Sequence, residues 1–150
     1  MNDIEKTYFH LEDTYLDIVK QYLKINENNI EGALFQHTGI YAFFGAVLAY
    51  AKREMDRAAT ARDQEEAKVR EAQRASLVSE GKKATDRALD AYVKTVTTVA
   101  THETSCEKTS HLYYLAKNVM NSLDHQKDML VQISANKRAE AKLVGDYPTG

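Results

Sequence analysis

The chain has 150 residues, 43 % of them hydrophobic and 28 % charged, which fits one folded domain and excludes a disordered chain. A formal net charge of -2 excludes the global basic excess that many nucleic-acid binders carry. With a single cysteine, Cys106, no internal disulfide can form, and with no signal peptide visible the default compartment is a reducing cytoplasm.

Backbone breakers are the more telling count. There are 6 Gly and 1 Pro, and the proline is Pro148. Between Gly45 and Gly145 the only glycine is Gly81, with no proline at all. Loops and strand turns draw on these residues for their backbone angles. The stretch therefore reads as two long helices meeting near Gly81, and the fold class as all-α.

Residues 4–24 place Ile4, Phe9, Leu11, Tyr15, Ile18, Val19, Tyr22 and Leu23 at helical intervals, an amphipathic helix with an acidic face. Residues 1–31 hold seven acidic side chains against three lysines, so an acidic N-terminal segment precedes a mildly basic body. The polar run Asn26 to Asn29 suits a loop, with Gly32 in the same connection.

The second helix is expected from near Ala33 to about Ser79. Its first part is apolar nearly all round, through Leu34, Phe35, Ile40, Tyr41, Phe43, Phe44, Val47, Leu48 and Tyr50. The apolar run 40–51 falls short of the roughly 20 residues that span a bilayer, so it reads as a buried helix and no membrane partner is expected. Beyond Met55 the apolar positions shrink to alanines and one valine, which bury little area each. That half reads as an extended, solvated arm.

Residues 79–85 form the turn, with Thr85 as N-cap of a third helix. One apolar stripe follows through Leu89, Tyr92, Val96, Val99, Cys106 and Tyr113. Another runs through Leu112, Leu115 or Ala116, Val119, Leu123, Gln126, Leu130 and Ile133. The change of stripe near 110–115 predicts a change of partner or a kink. The β-branched run Thr95 to Thr101 leans weakly towards strand, but the periodicity on both sides predicts uninterrupted helix. Three segments result: 1–31, an acidic helix and linker; 32–144, a helical hairpin domain; and 145–150, a flexible tail. Helices of this length span on the order of 65–90 Å. A lone hairpin cannot cover all its bulky apolar groups, so a homo-oligomer is expected. Its interface is assigned to Phe43, Phe44, Val47, Leu48, Tyr113 and Met120.

No phosphate-binding glycine loop, His-Glu-x-x-His or nucleophile motif is present, so no enzymatic activity or cofactor is expected. His102 and Cys106 stand four apart on one helical face and could be imagined on zinc. No second cysteine or ligand pair completes four-coordination, so a small core cysteine and solvated histidines are the plainer reading. Most of the 9 Tyr and 4 Phe fall on apolar stripes and read as core before they read as base-stacking platforms.

The arm carries Lys52, Arg53, Arg57, Arg62, Lys68, Arg70 and Arg74, continued at the turn by Lys82, Lys83 and Arg87. Pairs four apart make short patches that could track phosphates. Seven basic residues alternate with six acidic ones over 52–74, so the plainer alternative is a salt-bridged solvated face. Repetition in a ring-shaped oligomer would multiply a weak patch.

Three segments give the chain a resemblance: Leu34-x-x-His37 with the aromatic-rich helix through Lys52; Lys68-Val-Arg70 before the turn, with Lys82-Lys-Ala-Thr85-Asp86; and Gln126 to Glu140. In this order the chain resembles the UvsY-type recombination mediators of tailed phages, over about residues 33–143. The resemblance implies a helical hairpin in ring-like homo-oligomers in the host cytoplasm. It further implies binding of single-stranded DNA without base specificity, and contacts with a recombinase and a single-strand-binding protein. The family's basic stretch corresponds here to Lys68 and Arg70. Arg57, Arg62, Arg74, Lys82 and Lys83 complete the expected DNA-binding set. A Tyr-rich segment that some relatives have before the turn is replaced by Glu71-Ala-Gln-Arg-Ala75. The rival reading is a scaffolding coiled-coil oligomer of a virion with no affinity for DNA.

Overall fold

Three helix starts in this protein are set by short polar side chains that satisfy the otherwise unpaired amides of a first turn. The computed structural model describes residues 1–25 and 29–145. These form five helices: α1 (Asp3–Phe9), α2 (Leu11–Tyr22), α3 (Ile30–Ser79), α4 (Asp86–Val93) and α5 (Thr97–Gly145). No strand occurs among the described residues. The expected loop at 26–28 and the expected flexible tail at 146–150 lie outside the described residues.

At the start of α1 the Asn2 carboxamide accepts from the Glu5 amide at 2.9 Å, and the Glu5 carboxylate accepts from the Asn2 amide at 3.1 Å, a reciprocal cap. The single expected N-terminal helix is interrupted at His10. Its ring Nδ1 donates to the Lys6 carbonyl at 2.9 Å, and its backbone leaves the helical region at φ -102, ψ 5. Helix α3 starts three residues earlier than the apolar pattern suggests, because the Asn29 carboxamide accepts from the Gly32 amide at 3.0 Å. Gly32 belongs to this first helical turn. A Cβ there would lie only 2.4 Å from the Asn29 side chain, so a larger residue would make that carboxamide shift. At the far end Gly81 adopts φ +71, the left-handed region that L side chains disfavour, and stops α3. Thr85 then accepts from the Ala88 amide at 3.3 Å and opens α4.

The expectation of unbroken helix from Thr85 onward is overturned at residues 94–96. The Tyr92 carbonyl accepts from the Thr95 amide at 2.8 Å and from the Thr95 hydroxyl at 2.7 Å, and the Val93 carbonyl accepts from the Val96 amide at 3.1 Å. These tight i to i+3 bonds, reinforced by a threonine side chain, end α4 before α5 begins.

The chain divides into two compact units. The first comprises Met1–Tyr50 and Tyr114–Gly150. Its core includes Tyr8, Leu11, Ile18, Phe44 and Val47, together with Ala116, Val119, Met120, Leu123 and Leu130 of α5. Gln126 occupies a core position on the α5 stripe and donates to the Tyr22 carbonyl at 2.8 Å, which ties α2 to α5. Aromatic contacts tie the N-terminal helices to α3. Tyr8 meets Tyr50 with ring centres 5.1 Å apart, and Tyr22 meets Phe44 edge-on at 5.7 Å. The N-terminal helices α1 and α2 therefore pack in the same unit as the first part of α3.

The second unit is Ala51–Tyr113. Leu89, Val93, Val99 and Leu112 are buried, whereas along α3 in this unit Ala51 is buried and Ala67, Ala72 and Ala75 are exposed. The stripe change on α5 near 110–115 coincides with the boundary between units at Tyr113 and Tyr114.

Candidate nucleic-acid interface

The basic residues of the second unit fall into two groups, distinguished by their carboxylate partners. Along α3 the charges are locally paired. Arg57 reaches Glu54 at 3.1 Å, Arg62 reaches Asp63 at 2.7 Å and Glu66 at 3.8 Å, and Lys68 lies 3.8 Å from Glu65. The Asp63 hydrogen bond, followed by its charge, holds the Arg62 guanidinium above its ordinary pKa. Glu65 also accepts from the Thr98 hydroxyl at 2.9 Å, fixing α3 against the start of α5.

Nearer the turn, α3 is paired with α4. Arg70 is ion-paired and hydrogen-bonded to Asp90, and Arg74 lies 3.9 Å from Asp86. The two arginines are one helical turn apart on α3, as are the two aspartates on α4, so the pairs form a ladder between antiparallel helices. At the turn itself Lys82 pairs with Glu80 at 2.7 Å. Of the seven expected DNA-contacting residues, Lys83 alone has no carboxylate partner among the described residues. Arg87 and Lys94, which sit on or just after α4, are also exposed and have none.

Charge is unevenly distributed along this unit. Over residues 68–94 seven basic side chains face four acidic ones, whereas residues 52–67 hold four basic and five acidic. The basic excess is therefore confined to the end around Gly81.

The expected interface residues separate as well. Phe44, Val47 and Met120 are core residues of the first unit, at 2 %, 0 % and 8 % exposure, so the chain's own packing already covers them. Phe43, Leu48 and Tyr113 are half-buried. Phe43 packs edge-on against Phe44 at 5.3 Å, and both line an open groove with Thr14, Ile18 and Tyr22. The apolar surface still open lies elsewhere in this unit. Phe35 is 85 % exposed, and Leu16, Tyr114 and Met129 are each more than half exposed. Helix α3 contains an 18-residue window long and apolar enough to cross a membrane by length and composition, and only 17 % of that window is buried. The reading of this segment as a buried helix thus holds for one stripe, at Phe44, Val47 and Ala51.

His102 and Cys106 are both half-buried on α5. Among the described residues no group of three or more His, Cys, Asp or Glu side chains converges on a point that could hold a metal ion. Comparison with known proteins adds no assignment: no family model, curated protein or solved structure matches this chain.

Proposed function

We propose that the protein is a non-catalytic, homo-oligomeric accessory factor of the recombination-mediator type. In this reading it is a helical hairpin turning at Gly81 that binds single-stranded DNA through the phosphate backbone and helps load a recombinase in the host cytoplasm. The observation that carries the reading is the basic excess around the turn, where Lys83, Arg87 and Lys94 have no carboxylate partner among the described residues. Exposed ion pairs such as Lys68–Glu65 are worth only about 0–1 kcal/mol, so a phosphate can displace the carboxylate. Self-association is supported by the exposed apolar window of α3 and by Phe35, Tyr114 and Met129. A ring of subunits would repeat each basic end and turn a modest patch into an extended track. The partners, a recombinase and a single-strand-binding protein, follow from the resemblance alone.

A salt series tests this. Affinity for a long single strand should fall linearly on logarithmic axes as salt rises, because each phosphate contact releases a condensed cation. Salt-independent binding, or none at low salt, contradicts the reading.

One observation favours a second reading, a scaffolding oligomer without affinity for DNA. Arg57, Arg62, Lys68, Arg70, Arg74 and Lys82 all have carboxylate partners, as a merely solvated face would. The same salt series separates the two.

A further inference from the structure

Helix α4 sorts its charges by face. Leu89 and Val93 point into the second unit, at 0 % and 6 % exposure. Asp86 and Asp90, one turn apart, face Arg74 and Arg70 of α3. At 100° per residue Arg87 lies on the flank beyond these aspartates, and Lys94, seven residues on, returns to the same flank about 10 Å further along the axis. Lys83 sits four residues before Arg87, at the mouth of the turn. All three are exposed and lack a carboxylate partner among the described residues. Both acidic groups of α4 are thus engaged towards α3, while Arg87 lies on the flank beside them and Lys83 and Lys94 bracket the helix on either end.

We propose that this outward flank, Lys83, Arg87 and Lys94, is the phosphate-contacting surface, and that Arg70 and Arg74 position α4 rather than touch the ligand. The assignment rests on the single-strand reading above. It differs from an assignment along α3, because Arg70 and Arg74 face the α4 carboxylates Asp90 and Asp86. The ligand class is a polyanionic backbone carrying phosphodiesters. No base-reading group is implied, since Tyr92, the exposed aromatic of α4, lies on the other side of the helix from Arg87.

The test is fluorescence anisotropy with a labelled oligothymidylate of about 30 nucleotides across a salt series, using the whole chain. Each lost contact with a single strand lowers the slope of log K against log salt by about 0.7. K83A/R87A/K94A should lower it by about 2 and weaken binding about 100-fold near 0.1 M salt. The charge-retaining K83R/R87K/K94R should bind like the parent, and unchanged far-UV circular dichroism of both variants separates loss of contact from loss of fold. The charge-neutral R70A/R74A/D86A/D90A should melt earlier yet keep the parental slope. A parental slope in the first variant, or a reduced one in the last, overturns the assignment and leaves the single-strand reading standing. A parent protein that does not bind the oligonucleotide at any salt overturns both.

Discussion

The ring of His37 is buried, and its Nε2 lies 2.8 Å from the backbone carbonyl oxygen of Leu123, 86 residues away. A carbonyl only accepts, so Nε2 carries the proton and the ring is a fixed donor between α3 and α5 of the first unit. His37→Ala should destabilise the protein by about 2–4 kcal/mol, combining a lost buried hydrogen bond with the cavity left by the ring. Urea unfolding followed by circular dichroism checks this. His37→Gln, whose amide can reach the same carbonyl, should recover part of the loss.

Tyr41 stacks on His37 with ring centres 5.8 Å apart, and its hydroxyl donates to the Asp124 carboxylate. The hydrogen bond, then the charge of Asp124, then desolvation raise the Tyr41 pKa above its ordinary 10.0. A group whose pKa is raised by folding contributes stability that is complete below the unfolded value and lost as pH climbs through the folded one. The contribution of Tyr41 should therefore be constant at neutral pH and disappear above about pH 10. Melting temperatures of the parent and Tyr41→Phe should differ at pH 8 and converge towards pH 11; a gap that widens with pH contradicts the assignment.

The turn has two separable determinants. Gly81 has φ +71, and a Cβ at this position would meet nothing within 4 Å, so Gly81→Ala encounters no steric neighbour and should cost about 1 kcal/mol through the backbone alone. Thr85→Ala removes the cap on Ala88 and should cost about 1 kcal/mol as well. Chemical denaturation of each variant and of the double variant should give effects that add within about 0.5 kcal/mol if the two act independently.

The ladder between α3 and α4 offers a gain of function. Asp86→Asn with Asp90→Asn removes both carboxylates that engage Arg74 and Arg70 and frees those guanidinium groups for solvent. Affinity for a single strand should rise about fivefold per released arginine that takes up a phosphate near 0.1 M salt. The anisotropy titration described above measures it, and weaker binding than the parent contradicts the prediction.

The all-helical fold was legible because breakers are so scarce. Gly81 and Thr85 mark the turn, and the three-and-four spacing of Ala116, Val119, Leu123, Gln126 and Leu130 gives the buried stripe of α5. The breaks at His10 and at residues 94–96 were not legible, since each depends on a side chain that competes for a helix carbonyl without a glycine or proline nearby. The start of α3 was missed by three residues because the Asn29 cap outweighs the apolar pattern. Within the candidate site the local pairs of α3 could be read from alternating charge. Arg70–Asp90 could not, because its partners are 20 residues apart and meet only once α4 lies against α3. For the same reason the sequence emphasised Arg70 and Arg74 and passed over Lys94. The interface residues were chosen for bulk, and bulk alone does not distinguish Phe44, which the chain buries itself, from Phe35, which it leaves exposed.

The most direct test of the proposed function is multi-angle light scattering of the purified protein, alone and with an oligothymidylate of about 30 nucleotides at low salt. The account predicts a mass several times the 17.0 kDa of one chain, and co-elution of the oligonucleotide with that assembly. A 17.0 kDa species that leaves the oligonucleotide in its own peak contradicts it.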